Sequence, residues 1–230
     1  MTADPLAALF AELGRLRDLT RLEAELRQRG FRRIAGVDEA GRGSLAGPVV
    51  AAAAILPLGC VLPGLDDSKL LDAEARTRLD REIRRRAIAI GIGVVEARAI
   101  DAGDILRASL EAMRQAVTAL SPSPEVLLVD AVRVPGVQLP QLSIVHGDAL
   151  SASIAAASIV AKVYRDALLN ELGIQHPAYG FEQHKGYGTP EHWEALRLCG
   201  PCPEHRLTYH GVVPEPGVFP IDGRAARRRG

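Results

Sequence analysis

Lysine is nearly missing from this chain. Of 28 basic residues in 230, 25 are arginine, and only Lys69, Lys162 and Lys185 are lysine. A compact ammonium and a planar guanidinium do different work, so each surviving lysine marks a position that could need a point charge. All three lie in distinctive segments: Asp66-Asp67-Ser68-Lys69, Ala161-Lys162-Val163-Tyr164-Arg165-Asp166 and His184-Lys185-Gly186-Tyr187-Gly188. Net charge is also missing: 28 basic residues balance 28 acidic ones. No global field draws the chain to a polyanion, so nucleic-acid binding has to come from a local patch. Long apolar runs are absent too. The longest, roughly 47–58, is too short for a bilayer and is interrupted by proline. The N-terminus has no basic start, apolar core and small-residue cleavage site, so a cytoplasmic location is expected.

Cysteine is scarce, and its odd count of three argues against a disulfide framework. Cys199-Gly200-Pro201-Cys202 spells a dithiol motif, but it closes a helical stretch, whereas redox dithiols open one. Cys199, Cys202, His205 and His210 could be gathered around zinc, yet two prolines in that loop and the lack of a second CxxC weaken the idea.

What is present reads as α/β. Residues 5–30 carry helical apolar spacing, with a break expected at Gly14 and a C-cap at Gly30. Two strands, 33–38 and 47–56, flank a Gly-Arg-Gly turn as a hairpin. A helix with a basic outer face follows over 72–87, a third strand over 89–96 and a long helix over 100–120. Residues 125–130 form a continuous apolar run ended by Asp130, the pattern of a buried parallel strand. A short strand at 142–145 precedes a helix over 149–172, for which Asp148 is the expected N-cap. A polar loop (173–188), a short helix (190–198) and a proline-rich tail complete the chain. The expectation is a central mixed β-sheet flanked by helices. Its parts are an N-terminal helical extension (1–30), a core (31–190), a helix-and-loop cap (191–223) and a disordered basic tail (224–230).

The segment Gly36-Val37-Asp38-Glu39-Ala40-Gly41-Arg42-Gly43-Ser44-Leu45-Ala46 holds the chemistry. Adjacent carboxylates at a strand end repel and resist burial. Glycines allow close backbone approach or positive φ. Together they indicate a divalent cation beside a phosphate-bearing substrate. Asp38 and Asp130 each end an apolar strand, so neighbouring strands would bring them to one rim. Glu39 would face the opposite way unless the strand has ended or bulged. Asp166 follows Lys162 by four residues, above Ser158 on a helix face of small residues that can lie on the sheet. Four converging carboxylates favour Mg²⁺ or Mn²⁺ over zinc. Two such ions can activate water and stabilise a leaving oxygen in phosphoryl displacement.

Six segments in order resemble the bacterial type 2 ribonuclease H family, ribonuclease HII. They are residues 35–43, Asp67-Ser68-Lys69, Leu127-Leu128-Val129-Asp130, residues 155–166, His184-Lys185-Gly186-Tyr187-Gly188-Thr189 and Pro203-Glu204-His205-Arg206-Leu207-Thr208-Tyr209. The resemblance implies a ribonuclease H-like fold and cleavage of RNA in RNA–DNA hybrids. It also implies incision 5′ of a ribonucleotide in duplex DNA, leaving 3′-hydroxyl and 5′-phosphate ends. Asp38, Glu39, Asp130 and Asp166 fall on the family's metal ligands. Gly41, Arg42 and Gly43 fall on the turn that senses the 2′-hydroxyl, the group that tells RNA from DNA. Tyr209 falls on the tyrosine that stacks on a sugar at the RNA–DNA junction. Lys69, Lys162 and Lys185 become phosphate-binding or site-supporting groups. Where the family usually has glycine after the third carboxylate, Ala131 stands here. A monomer is the default expectation, and no clear motif in the tail supports a sliding-clamp contact. Two other classes compete with the nuclease reading. A silent nucleic-acid-binding module is disfavoured by four intact acidic positions, and a dithiol oxidoreductase would depend on Cys199 and Cys202.

Overall fold

The computed structural model describes residues 5–213. The expected disordered tail and the clamp contact placed there lie outside those residues. Two short helices, α1 (Pro5–Leu19) and α2 (Arg21–Gln28), come first. Gly14 does not break the helix. The break comes at Thr20, whose hydroxyl bonds back to the Leu16 and Arg17 carbonyls. A hydroxyl that competes for helix carbonyls in this way is a local helix disruptor. Of the apolar positions on α1, Leu16 is buried, whereas Leu9, Phe10 and Leu13 are exposed.

The sheet is formed by β1 (Ile34–Ala40), β2 (Val49–Ile55), β3 (Ala89–Val95), β4 (Val126–Asp130) and β5 (Gln141–Ile144). Its order is β3-β2-β1-β4-β5. β1 and β2 form the expected antiparallel pair, with Asp38 opposite Ala52 and Ala40 opposite Val50. β3 adds antiparallel to β2, while β4 and β5 are parallel to β1 and to each other. A strand buried on both faces has no need of polar alternation. Accordingly β2, Val-Val-Ala-Ala-Ala-Ala-Ile, is buried throughout.

Helices cover both faces. α3 (Ala73–Arg86), α4 (Ala97–Asp101) and α5 (Ile105–Thr118) precede β4, and α6 (Ala152–Gln175) follows β5. α5 packs Ala108, Ala112, Met113 and Ala116 with Ala35, Val37, Ala51, Ala53, Leu127 and Val129. α6 packs Ala155, Ala156, Ile159 and Val160 with Val50, Ala52 and Ala54 on the other face. The approach of α6 to β1 needs Gly36. A Cβ there would lie 2.0 Å from the Ser153 carbonyl carbon.

The long helix expected over 100–120 is two helices. Asp104 caps the second by accepting from the Arg107 N–H. Asp148 is not the N-cap of α6. Ser151 holds that place, its hydroxyl accepting from Ile154 N–H, and Asp148 lies in a 3₁₀ turn (Gly147–Ala149). Glu23 of α2 reaches the same helix end, accepting from Ser151 Oγ at 2.6 Å and Ser153 N at 2.8 Å. A carboxylate suits the positive end of a helix dipole. α6 runs three residues beyond the expected end, and the following loop contains α7 (Phe181–His184) before α8 (Pro190–Cys199). No helix among the described residues is long and apolar enough to cross a membrane.

Candidate active site

Within the β1–β4 register Val37 pairs with Val129, so the next residues, Asp38 and Asp130, sit side by side where the two strands end their pairing. Strand alternation puts both on the α6 face. β1 remains paired to β2 through Ala40, with neither an end nor a bulge before Glu39. The expected break is therefore not what admits Glu39. β1 overhangs β4 from Asp38 onward, and that open edge lets a side chain of either parity reach the rim.

Asp38, Glu39 and Asp130 line one depression of about 540 Å³ together with Ala40, Gly41, Arg42, Gly43, Ser68, Lys69, Arg76, Ser158, Lys162 and Tyr187. Burial pushes the Asp38 carboxyl well above its ordinary range, and the charges of Glu39 and Asp130 push it further. Hydrogen bonds from Ser158 and from the Glu39 N–H (2.7 Å) only partly offset this. Burial likewise raises Glu39, against the counter-pull of Arg42 at 3.2 Å. Asp130 accepts from Gly147 N–H at 2.8 Å.

The four carboxylates do not form one cluster. Asp166 is absent from the lining and pairs at 2.6 Å with Lys162, which is part of it. Among the described residues no three His, Cys, Asp or Glu side chains are grouped as a metal-holding set. Like charges separate, and here Glu39 and Asp166 each take the nearest cation. The donor chemistry still fits a hard divalent ion: Asp38, Glu39 and Asp130 offer only oxygen donors, and the charges of Glu39 and Asp130 raise the proton affinity of Asp38. Releasing Glu39 from Arg42 would free a donor already in the depression, and releasing Asp166 from Lys162 would free a fourth carboxylate beside it.

Of the three lysines, two reach the depression. Lys69 pairs with the buried carboxylate of Asp148 at 3.1 Å and with Asp67 at 3.6 Å. Partial burial opposes its charge, but these partners carry its pKa above the ordinary value. Lys185 lies elsewhere, donating to Asn170 Oδ1 and to the Glu182 carbonyl.

The Gly-Arg-Gly turn is braced from behind. Gly41 has φ +94°, and a Cβ on it would lie 2.0 Å from Arg165 Nε. Arg165 is fully buried and donates to Pro48 O, Lys185 O, Ala46 O and Ser44 Oγ. Burial lowers its pKa to about 10, far above neutrality, so it stays charged. Tyr209 stands at the same turn, its hydroxyl donating to Arg42 O at 2.6 Å.

Sequence reasoning missed Arg165, Arg206, Asp148, Ser158, Arg76 and Tyr187 as site-supporting residues. For Tyr187, whose ring faces Lys162 at 5.7 Å, the signal lay in its place two residues after Lys185. Cys199 is exposed at the end of α8, and Cys202 Sγ is 3.1 Å from His205 Nδ1. Burial raises the Cys202 thiol pKa, the opposite of what an attacking thiolate needs. Ala131 follows Asp130 with φ +54°, a left-handed conformation that accounts physically for glycine at such a position.

The family model described as Ribonuclease HII matches residues 35–212. A Ribonuclease HII of Geobacillus kaustophilus is 58% identical over 198 residues, covering 86% of this chain and 76% of that protein. The crystal structure of ribonuclease H2 from Pyrococcus horikoshii superposes with a TM-score of 0.67 at 25% identity, over 78% of this chain and 95% of that one. The PCNA:RNase HII complex of Archaeoglobus fulgidus gives a TM-score of 0.64 at 26% identity, over 77% of this chain and 95% of that one.

Proposed function

Since the chain belongs to the ribonuclease HII family of metal-dependent endoribonucleases acting on RNA–DNA hybrids, we propose that it incises 5′ of single ribonucleotides in duplex DNA. Water adds to phosphorus, the P–O3′ bond breaks, and the leaving 3′ oxygen takes up a proton. The products carry 3′-hydroxyl and 5′-phosphate ends. The observation that carries this reading is one depression lined by Asp38, Glu39 and Asp130 and rimmed by Arg42, Lys69, Arg76 and Lys162. Carboxylates attract cations, and the surrounding cations attract phosphate.

Asp38, Glu39, Asp130 and Asp166 are the proposed ligands of Mg²⁺ or Mn²⁺. Bound there, two divalent ions would supply an activated water and charge stabilisation at the leaving oxygen. Lys69, oriented by Asp148, meets a phosphate oxygen at the rim. Lys162 neutralises Asp166 and would remain beside the depression were that carboxylate to serve as a ligand. Lys185 supports the site from behind, its carbonyl accepting from Arg165. The backbone of Gly41, Arg42 and Gly43 meets the 2′-hydroxyl, and Tyr209 stacks on the neighbouring sugar. In this reading residues 31–190 form the catalytic core, the described part of the 191–223 cap brings in Tyr209, and the described part of 1–30 is a helical extension; residues 1–4 and 214–223 of those expected units lie outside the described residues.

A labelled DNA duplex containing one ribonucleotide, incubated with Mg²⁺ or Mn²⁺, tests the proposal. The expected product is a single cut 5′ of the ribonucleotide. Cutting only within long RNA tracts would refute the incision specificity while leaving family membership untouched.

A further inference from the structure

Arg206 is fully buried, and among the described residues it pairs with no carboxylate. Its guanidinium is spent on the turn: Nε and Nη2 donate to Gly47 O at 3.0 and 2.9 Å, and Nη1 donates to Arg42 O at 2.9 Å. Nη1 also donates to the Tyr209 hydroxyl at 3.0 Å, and the guanidinium lies 5.2 Å from the centre of the Tyr209 ring. The Arg42 carbonyl thus receives two donors from the protein side, Arg206 Nη1 and Tyr209 Oη.

A trans peptide is planar, with its N–H opposed to its C=O. Fixing the Arg42 carbonyl inward therefore fixes the Gly43 N–H outward. Gly43 is exposed, and no described residue accepts from its N–H. The depression is lined by the same turn. A buried fork that bonds three acceptors at once is expensive to leave half-made, because each lost partner strands a desolvated donor.

We propose that Arg206 is a positioning residue for ribonucleotide selectivity, locking the Arg42–Gly43 peptide and Tyr209 in one fixed relation. This rests on the reading of the Gly-Arg-Gly turn and Tyr209 as the parts that meet the ribonucleotide. Arg206 touches no substrate atom. It acts by keeping one backbone donor and one ring in register, so that a 2′-hydroxyl finds its partner without reorganisation. Lysine cannot replace it, since a single ammonium cannot span Gly47 O, Arg42 O and Tyr209 Oη in a planar fork.

The test measures binding of a duplex with one ribonucleotide and of its all-deoxy counterpart in an Asp130→Asn background, with Mg²⁺ present. Arg206→Lys in that background should cut the preference for the ribonucleotide about tenfold while leaving all-deoxy affinity within about twofold. The Gly43 amide resonance should move on adding the ribonucleotide duplex to the background protein, and much less in the Arg206→Lys protein. If the background shows no ribonucleotide preference, the reading of the turn fails and the inference falls with it. If the preference exists and the folded Arg206→Lys protein keeps it, only the inference is overturned. An equal loss on both duplexes also overturns it, because that is the signature of a merely structural role. Should Arg206→Lys not fold, Arg206→Gln, which can donate to one carbonyl but cannot make the fork, takes its place, and unchanged preference in that folded variant overturns the proposal.

Discussion

Acidification from pH 7 to pH 5 should loosen this protein through a pair of buried imidazoles. His205 Nδ1 accepts the Cys202 N–H at 3.0 Å, so the neutral ring carries its proton on Nε2. That proton meets His192 Nε2 at 3.0 Å, which leaves the His192 proton on Nδ1, facing Tyr187 O at 2.9 Å. Every ring nitrogen is committed, and an added proton would oppose one donor with another. Burial lowers the His205 pKa to about 4, helped by the positive charges that His192, His176 and His184 would carry. Burial lowers His192 too, with His184 stacked on it at 4.3 Å. The Cys202 thiol and the rings of Tyr179 and Phe181 pack around the pair.

In the unfolded chain these histidines titrate near their ordinary value of about 6.5. Between that value and about 4 the unfolded state binds more protons than the native state, so stability falls as pH falls. The contribution is intact above the upper value. For His205 the loss from pH 7 to pH 5 is roughly 2 kcal/mol by linkage, and about half that after allowance for solvent screening. In a chain of this length about 1–2 kcal/mol is a fall of roughly 2–8 °C in Tm. Asp38 and Glu39, whose pKa values are raised, work the other way, because the native state takes up their protons first. Thermal melts without divalent cations, for the wild type and for His205→Gln, cancel that common part. Glutamine retains an acceptor for Cys202 N–H and a donor for His192 but cannot titrate. The variant should melt lower at pH 7 yet lose less on acidification. Parallel melting curves for the two proteins would refute the reasoning.

Asp130→Asn should abolish cleavage of the one-ribonucleotide duplex, by roughly 10²-fold or more, while leaving binding measurable; near wild-type cutting would remove Asp130 from the ligand set. Gly36→Ala should destabilise by about 3 kcal/mol or more in urea unfolding, since its Cβ would sit 2.0 Å from helix backbone that cannot retreat cheaply; a loss under about 1 kcal/mol would show that α6 can shift. Ala131→Gly should raise stability by about 0.5–1 kcal/mol, relieving a left-handed alanine at φ +54° against the extra entropy of glycine. A drop in Tm for that variant would mean that the alanine methyl packs usefully.

Asp38 and Asp130 could be seen in the sequence because an apolar run stopped by an acid is visible along one strand. Glu39 could not be placed that way. Its access to the rim depends on β1 outrunning β4, and the relative ends of two strands 92 residues apart are not local information. Asp148 and Ser151 are both good N-caps, and local chemistry cannot choose between them. What distinguishes them is non-local: Asp148 pairs with Lys69, 79 residues away, and Ser151 bonds Glu23, 128 residues away. Arg165 and Arg206 were hidden for a different reason. Both lie in distinctive segments, but among 25 arginines nothing local says that these two are buried, and most of their partners are backbone carbonyls, which leave no trace in the sequence.

Those partners also explain how the site can be both firm and adaptable. Arg42–Glu39 and Lys162–Asp166 are isolated, partly buried ion pairs at or beside the depression, so an incoming phosphate or hard cation can compete for either member. Arg165 and Arg206 hold uncharged carbonyls in the interior, where a competing ion finds no access and each broken bond strands a donor. Exchange is thereby confined to the rim, and the turn beneath it stays fixed. Arginine forks suit the fixed frame. At the rim the compact ammoniums of Lys69 and Lys162 can change partners without carrying a rigid plane along, beside the guanidiniums of Arg42 and Arg76.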